Sequence, residues 1–185
     1  MKLETERLIL RPVTGDDAGG NYHEWLNDPE VVKYMEDRFY PADQESIKKY
    51  IETTANALDK YFFAVCLKAS PQLYKIPIGA HIGNVLLGPI PKVHRYAEVS
   101  YTFHRSYWGN GYATEAVKAV VNFAFVHLDL ERLNAGTSET NIPSQNVLKK
   151  AGFTREGAFR KFYWMPTGRE DRVIWGQLKS EYHKV

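Results

Sequence analysis

The residues best suited to chemistry in this 185-residue chain stand together, in Tyr101-Thr102-Phe103-His104-Arg105-Ser106-Tyr107-Trp108-Gly109-Asn110-Gly111-Tyr112-Ala113-Thr114-Glu115-Ala116. A strand-like run enters a glycine turn, and the turn opens a stretch of helical periodicity. Backbone N–H groups at a helix N-terminus have no partner inside the helix, and the helix dipole adds partial positive charge there. Gly109 and Gly111 carry no Cβ, so a pyrophosphate could approach the backbone closely, and Thr114 can add a hydroxyl donor. An ordinary strand-to-helix turn that uses glycine for tightness is the plain alternative. A dinucleotide fingerprint is the other. It fits poorly: no third glycine stands at the required spacing, although Glu131 lies twenty residues after Gly111, and the fingerprint needs the first βαβ unit of a parallel sheet.

Glu98 is the second candidate. A carboxylate inside a strand, flanked by Ala97 and Val99, is uncommon unless paired or functional. It can act as a general base, or it can form a salt bridge with Arg95 or Arg105. His81 and His104 are further ionisable positions, each read more simply as a polar strand residue. Cys66, the single cysteine, lies in the apolar run Phe62–Leu67 and reads as a buried structural thiol.

These residues need a scaffold. Leu8–Arg11 reads as a first strand ending at Pro12. Asp16 or Asp17 can cap a helix running through Tyr22 and Trp25. Asp28-Pro29-Glu30 restarts a helix with Asp28 as cap and Pro29 at the first helical position. A third helix fits residues 43–57, with Ile47, Tyr50, Ile51 and Leu58 at helical spacing. Residues 61–67, 78–87 and 95–104 read as strands, with turns at Leu73–Pro77 and Gly88-Pro89-Ile90-Pro91. A long helix from Tyr112 to Leu128 carries one stripe of Ala113, Ala116, Val117, Val120, Val121, Ala124 and Leu128. A strand at 131–137, a short helix at 144–150 closed by Gly152, and two last strands at 155–165 and 170–179 complete the order. This is a mixed α/β, α+β-like chain whose sheet is not purely parallel. No linker or repeat divides it, so residues 1–185 are expected to form a single domain.

Composition limits the function. The chain is 44% hydrophobic and 25% charged, which excludes a disordered polymer. Lys plus Arg number 24 against 22 for Asp plus Glu, with no basic block, so nucleic acid is not an expected partner. No apolar run approaches a membrane span, and Met1–Arg7 is no signal peptide. A cytoplasmic enzyme is the expectation.

Several motifs, in order, resemble one family. Trp108-Gly109-Asn110-Gly111-Tyr112-Ala113-Thr114-Glu115-Ala116 is similar to the acetyl-CoA pyrophosphate loop of RimJ/RimL-type GNAT acetyltransferases, and Ala97-Glu98-Val99-Ser100-Tyr101 to their fourth strand. Asn141-Ile142-Pro143-Ser144-Gln145-Asn146-Val147-Leu148-Lys149-Lys150-Ala151-Gly152-Phe153 resembles their Asn-x-x-Ser…Gly-Phe segment, with Glu156-Gly157 following. The opening Leu3–Arg11 is also typical. Trp108 stands where many members carry Arg or Gln.

The resemblance implies a GNAT fold: a mostly antiparallel, twisted sheet of about seven strands, splayed between its fourth and fifth strands, with flanking helices. It implies acetyl-CoA as cosubstrate and no metal. The main chain at Tyr101, Thr102 and Phe103 would bond the pantetheine arm, Asn141 and Asn146 would contact it from the other side, and Trp108–Thr114 would hold the pyrophosphate: Trp108, Gly109, Asn110, Gly111, Tyr112, Ala113 and Thr114. Asn141 can equally be a helix cap. Transfer in this family is direct. An amine attacks the thioester carbonyl, so the site must orient both substrates, stabilise an oxyanion, take a proton from nitrogen and return one to sulfur. Glu98 is the expected base. Leu148 stands where many members place an acidic Tyr, which leaves Ser144 as the expected acid, unless it is only an N-cap. Tyr163 falls near where RimL-like relatives can place a carboxylate.

Acceptor residues in this fold come from the first helices and last strands. Trp25, Tyr34 and Arg38 are the expected contacts; rings and an Arg suit a small polar amine such as a nucleotide-linked amino sugar. Trp25 and Tyr34 can equally be helix core. A protein N-terminus, as for the RimJ/RimL namesakes, is the alternative acceptor, and polyamines and amino-modified antibiotics are open. A non-catalytic acyl-CoA-binding sensor is the alternative from another class.

Overall fold

The computed structural model describes residues 1–35, 42–68, 79–165 and 167–183. Its elements are β1 (Leu3–Glu4), β2 (Leu8–Pro12), a 3-10 turn (Gly15–Ala18), α1 (Gly20–Leu26), α2 (Pro29–Val32), α3 (Gln44–Ala55), β3 (Tyr61–Leu67), β4 (His81–Leu87), β5 (Tyr96–Phe103), α4 (Tyr112–Asn122), β6 (Arg132–Ser138), α5 (Ile142–Lys150), β7 (Thr154–Met165) and β8 (Gly168–Leu178).

Local chemistry explains most boundaries. Asp28 caps α2 by accepting from the Glu30 N–H at 3.0 Å, with Pro29 behind it, and Asp43 caps α3 by accepting from the Ser46 N–H at 2.8 Å. The segment before α1 is a separate 3-10 turn rather than the start of one helix. Asp17 is not a cap but the residue whose carboxylate returns to the Thr14 N–H, at 2.8 Å. The stripe on α4 is buried at Ala116, Val117, Val120 and Val121, and the helix runs on as a π turn over Phe123–His127. The expected turn at Leu73–Pro77 lies outside the described residues.

The strands form one sheet in the order β1-β2-β3-β4-β5-β6-β8-β7. Among the described residues eight strands form where about seven were expected, because the two-residue β1 pairs with β2. Every neighbouring pair is antiparallel except β5 and β6. These two pair only at Tyr96–Arg132, Ala97–Leu133 and Glu98–Asn134. Beyond Glu98 the strands part, although β5 continues to Phe103 and β6 to Ser138. This fork is the dominant feature of the sheet. One face packs against α4 and α5 around Val99, Phe103, Val117, Val120, Leu133, Leu148 and Trp175. The opposite face of β2–β4 packs against α1–α3 around Trp25, Ile47, Ile51, Phe62 and Cys66. Cys66 is buried, as its apolar run predicts.

Candidate active site

The fork leaves the β6-facing edge of residues 99–103 without a strand partner, while the other edge pairs with β4 from Val99 to Phe103. An extended ligand could lie in the opening and meet unpaired backbone groups there. The glycine turn lies at the end of β5. Gly109 and Gly111 have φ of 78° and 80°, a conformation that suits glycine. Gly111 is the N-cap of α4 and offers no side chain to it, so the orphan N–H groups of the first turn stay available for an anion. A Cβ on Gly109 would meet nothing within 4 Å, so the approach there is open. Trp108 ties the turn to the strand: its indole N–H donates to the Phe103 carbonyl at 2.8 Å. The Asn110 amide bonds the carbonyls of Trp108 (3.0 Å) and Tyr107 (3.3 Å). Both side chains therefore shape the turn rather than reach outward from it.

Sequence reading missed Arg7. Its Nε donates to Glu115 at 2.7 Å, its Nη1 to the Asn110 carbonyl at 3.0 Å, and its guanidinium lies 4.6 Å from the Tyr112 ring centroid. Burial pushes the Glu115 carboxyl up, but bonds from the Thr5 hydroxyl and from Arg7 outweigh this and hold it below its ordinary value. The one acidic residue in the first turn of α4 is thus neutralised by Arg7 and does not repel an anion at the helix end. Beside it is a cleft of about 380 Å³ lined by Glu6, Arg7, Gly111, Thr114, Glu115, Lys118 and Lys150. With Arg7 paired to Glu115, Lys118 and Lys150 supply the basic side chains there that suit a pyrophosphate or phosphate. Their positions, far apart in sequence, give no local signal.

The two sides of the fork meet through side chains. Tyr101 of β5 places its hydroxyl 2.8 Å from the Ser144 hydroxyl and 3.0 Å from the Ser144 carbonyl on α5. Burial pushes the Tyr101 phenol above its ordinary range. Asn141 is the cap of α5, accepting from the Ser144 N–H at 3.2 Å, so Ser144 is not the cap and its hydroxyl serves Tyr101 instead. Leu148 is 0% exposed and belongs to the core. Asn146 is exposed on the outer part of α5.

Glu98 is the last residue of β5 that pairs with β6, and its carboxylate is partnered by neither arginine expected from sequence. Arg105 pairs with Asp28 at 3.2 Å, and Arg95 with Glu131 at 3.0 Å and with Asp129. The partner is Arg172 of β8, whose Nη2 donates to Glu98 Oε1 at 2.6 Å.

On the acceptor side, Trp25 is corrected. It is 0% exposed, packed against Tyr22, His81 and His104, and presents no face to a ligand. His81 is part of that packing and bonds Asn84 at 2.8 Å; His104 caps the 3-10 turn at Arg105–Tyr107. Tyr34 reaches the fork: its hydroxyl donates to the Thr140 carbonyl at 3.3 Å, beyond β6, while the neighbouring Met35 sulfur lies 3.9 Å from the Thr102 hydroxyl on β5. The segment after α2 therefore bridges both sides of the opening. Arg38 lies outside the described residues. Glu170, unforeseen from sequence, is buried beside Thr140. Burial alone would push its carboxyl up, but hydroxyl donors from Ser138, Thr140 (2.7 Å) and Thr167 (3.1 Å) outweigh it and hold the carboxyl below its ordinary value. Among the described residues no cluster of three or more His, Cys, Asp or Glu side chains could hold a metal ion, and no helix is long and apolar enough to cross a membrane.

Known proteins share this arrangement. The family model described as Acetyltransferase (GNAT) domain matches residues 7–154. The Bacillus subtilis (strain 168) protein named "Probable N-acetyltransferase YjcK" is 45% identical over 167 residues, covering 86% of this chain and 87% of that protein. Spermidine N(1)-acetyltransferase of Escherichia coli (strain K12) is 28% identical over 148 residues, covering 80% of this chain and 73% of that protein. A GNAT-family acetyltransferase structure from Bacillus anthracis superposes with a TM-score of 0.79 at 25% identity, covering 97% of this chain and 99% of the other. The structure of RimL, a ribosomal L7/L12 α-N-protein acetyltransferase, in complex with coenzyme A superposes with a TM-score of 0.82 at 15% identity, covering 96% and 98%, and so shares the fold. With the family model covering most of the chain, the protein belongs to the GNAT family of N-acetyltransferases.

Proposed function

We propose that the protein moves an acetyl group directly from acetyl-CoA to a primary amine on a small polar molecule. The observation that carries the reading is the fork: β5 and β6 part beyond Glu98 and Asn134, and the opening leads to the capless N-terminus of α4. A long thiol cofactor with a pyrophosphate suits both ends. The pantetheine arm would lie along residues 101–103 with Asn141 near it, and the pyrophosphate on the turn from Trp108 to Thr114, with Arg7, Lys118 and Lys150 around it. The thioester supplies an activated acetyl group there.

The side chains then divide the proton transfers. Glu98, at the root of the fork, takes the proton from the attacking nitrogen. Ser144, held by Tyr101, returns a proton to the sulfur as the thiol leaves. No covalent enzyme intermediate is required, and Cys66 is buried away from the opening. Tyr34 sits at the acceptor entrance, with Glu170 behind it. A nucleotide-linked amino sugar is one such acceptor and a polyamine another; Tyr34 offers an aromatic ring to either.

A peptide N-terminus is the second reading, and one observation favours it. β7 is an edge strand whose residues 154–162 are all exposed, an open edge that sequence reading had not located. The test is coenzyme A release from acetyl-CoA with nucleotide-linked amino sugars, spermidine, and short peptides beginning with Ala or Ser. Turnover of the small amines supports the first reading, turnover of peptides alone the second. Tight acetyl-CoA binding without release to any amine would instead mark an acyl-CoA sensor.

A further inference from the structure

Arg172 occupies an unusual bed. Its guanidinium crosses β6 directly above Gly136, two residues beyond the point where Asn134 pairs with Glu98. A Cβ on residue 136 would stand 2.7 Å from Arg172 Nη2 and closer still to Nε, so any other residue would push the guanidinium off this position. From the other side the Phe162 ring covers it, 5.3 Å from guanidinium carbon to ring centroid. A planar cation between a bare peptide and an aromatic face is held in plane. Its Nε is buried and has no hydrogen-bond partner among the described residues, while Nη2 reaches Glu98 at 2.6 Å.

The roof is built on purpose. Phe159 pairs with Arg172 and Tyr163 with Glu170, so Arg160, Lys161 and Phe162 together face Asp171 alone. Lys161 takes φ of 54°, and its N–H donates to Asp171 Oδ1 at 2.8 Å. This bulge turns Phe162 onto the guanidinium; bulges commonly re-aim side chains in this way. The neighbouring carboxylates are engaged elsewhere: Asp171 with Lys161, and Glu170 with the hydroxyls of Ser138, Thr140 and Thr167. Arg172 is left to Glu98.

We infer that Arg172 is a positioning residue for Glu98: bedded on Gly136 and roofed by Phe162, its guanidinium holds the carboxylate where β5 and β6 separate. A carboxylate on a strand, nearly half exposed, would otherwise sample several rotamers. One fixed oxygen leaves the other directed to the incoming amine. The pair is also neutral as a whole, so the amine is not trapped as an ammonium ion by an unopposed carboxylate. The inference rests on Glu98 being the base and adds how that base is aimed.

Its test uses the full-length enzyme with an amine that the release assay shows to be turned over. Arg172→Ala should lower kcat by roughly tenfold or more, as misplacing a catalytic group does, with the acetyl-CoA KM within about twofold. Guanidinium chloride at sub-denaturing concentration should restore part of the lost kcat. Arg172→Lys should not, because an ammonium lacks the planar fork. Gly136→Ala should reproduce the loss but resist rescue, because the added methyl fills the bed. Phe162→Ala, at an exposed position that folding tolerates, should lower kcat by a few fold and guards against a misfolded Arg172 variant. Glu98→Gln separates the two levels. Full activity in Glu98→Gln would remove the base assignment and this inference with it. Low activity in Glu98→Gln, with unchanged kcat in folded Arg172→Ala, Gly136→Ala and Phe162→Ala, would overturn the positioning role while leaving the base in place.

Discussion

The Tyr101 hydroxyl of β5 lies 2.8 Å from the Ser144 hydroxyl of α5 and so joins the two sides of the fork. Either oxygen can donate to the other, which makes a two-hydroxyl relay to whatever group lies in the opening.

If that relay protonates the leaving sulfur, Ser144→Ala should lower kcat by about 10²-fold or more, the usual scale of a general acid, with little change in acetyl-CoA affinity. Tyr101→Phe should cost less, and the double variant should cost no more than Ser144→Ala alone. Single-turnover kinetics with acetyl-CoA check this; additive losses would show two independent roles.

Glu98→Gln should lower kcat by roughly 10²–10⁴-fold, far more than it raises the acetyl-CoA KM. The loss should shrink as pH rises, because the amine is then already neutral. A pH series of kcat for both proteins is the measurement. A deficit constant across that range would assign Glu98 to structure.

Gly111→Val should weaken acetyl-CoA binding by tenfold or more, on the order of 1.4 kcal/mol. The site has φ of 80°, which a β-branched residue resists, and a Cβ there would stand 3.5 Å from Arg7 Nη2. Calorimetry on the folded variant decides, and unchanged affinity would remove the pyrophosphate assignment.

Leu148→Tyr, which installs the acidic Tyr that the family resemblance would place there, should not raise activity. Leu148 is 0% exposed, so the larger ring overpacks the core and should cost about 1–3 kcal/mol. Thermal unfolding and kcat measured together check it.

Acid should destabilise the fold in two stages. Burial pushes the His81 imidazole below its ordinary value, despite the bond to Asn84. The unfolded chain therefore takes up that proton first, and stability should start to fall below about pH 6.5. Asp17 and Glu170 are also held low: burial raises both, but Arg11 and the Thr14 N–H outweigh it at Asp17, and three hydroxyls do so at Glu170. Their contribution is complete above the unfolded values of about 4 and is lost as pH falls below them. Urea midpoints from pH 8 to 3 should show both stages; His81→Gln should remove the first, and Asp17→Asn with Glu170→Gln should flatten the second.

Features that short-range chemistry decides were legible in the residues alone. Asp28 with Pro29 and the glycines at 109 and 111 act within a few residues, through cap hydrogen bonds and sterically restricted φ, so their roles could be read in place. The stripe on α4 followed from periodicity, and the burial of Cys66 from its apolar run. The partners of the reacting groups could not be read this way. Glu98 meets Arg172 at a separation of 74 residues, Tyr101 meets Ser144 at 43, and Arg7 meets Glu115 at 108. Trp25 could be read as a stacking ring or as helix core and is core, because His81 and His104 close over it from β4 and the end of β5. These pairings depend on strand order and register. Only the insertion of β8 between β6 and β7, beside the parallel pair of β5 and β6, brings Arg172 over Gly136 to the root of the fork.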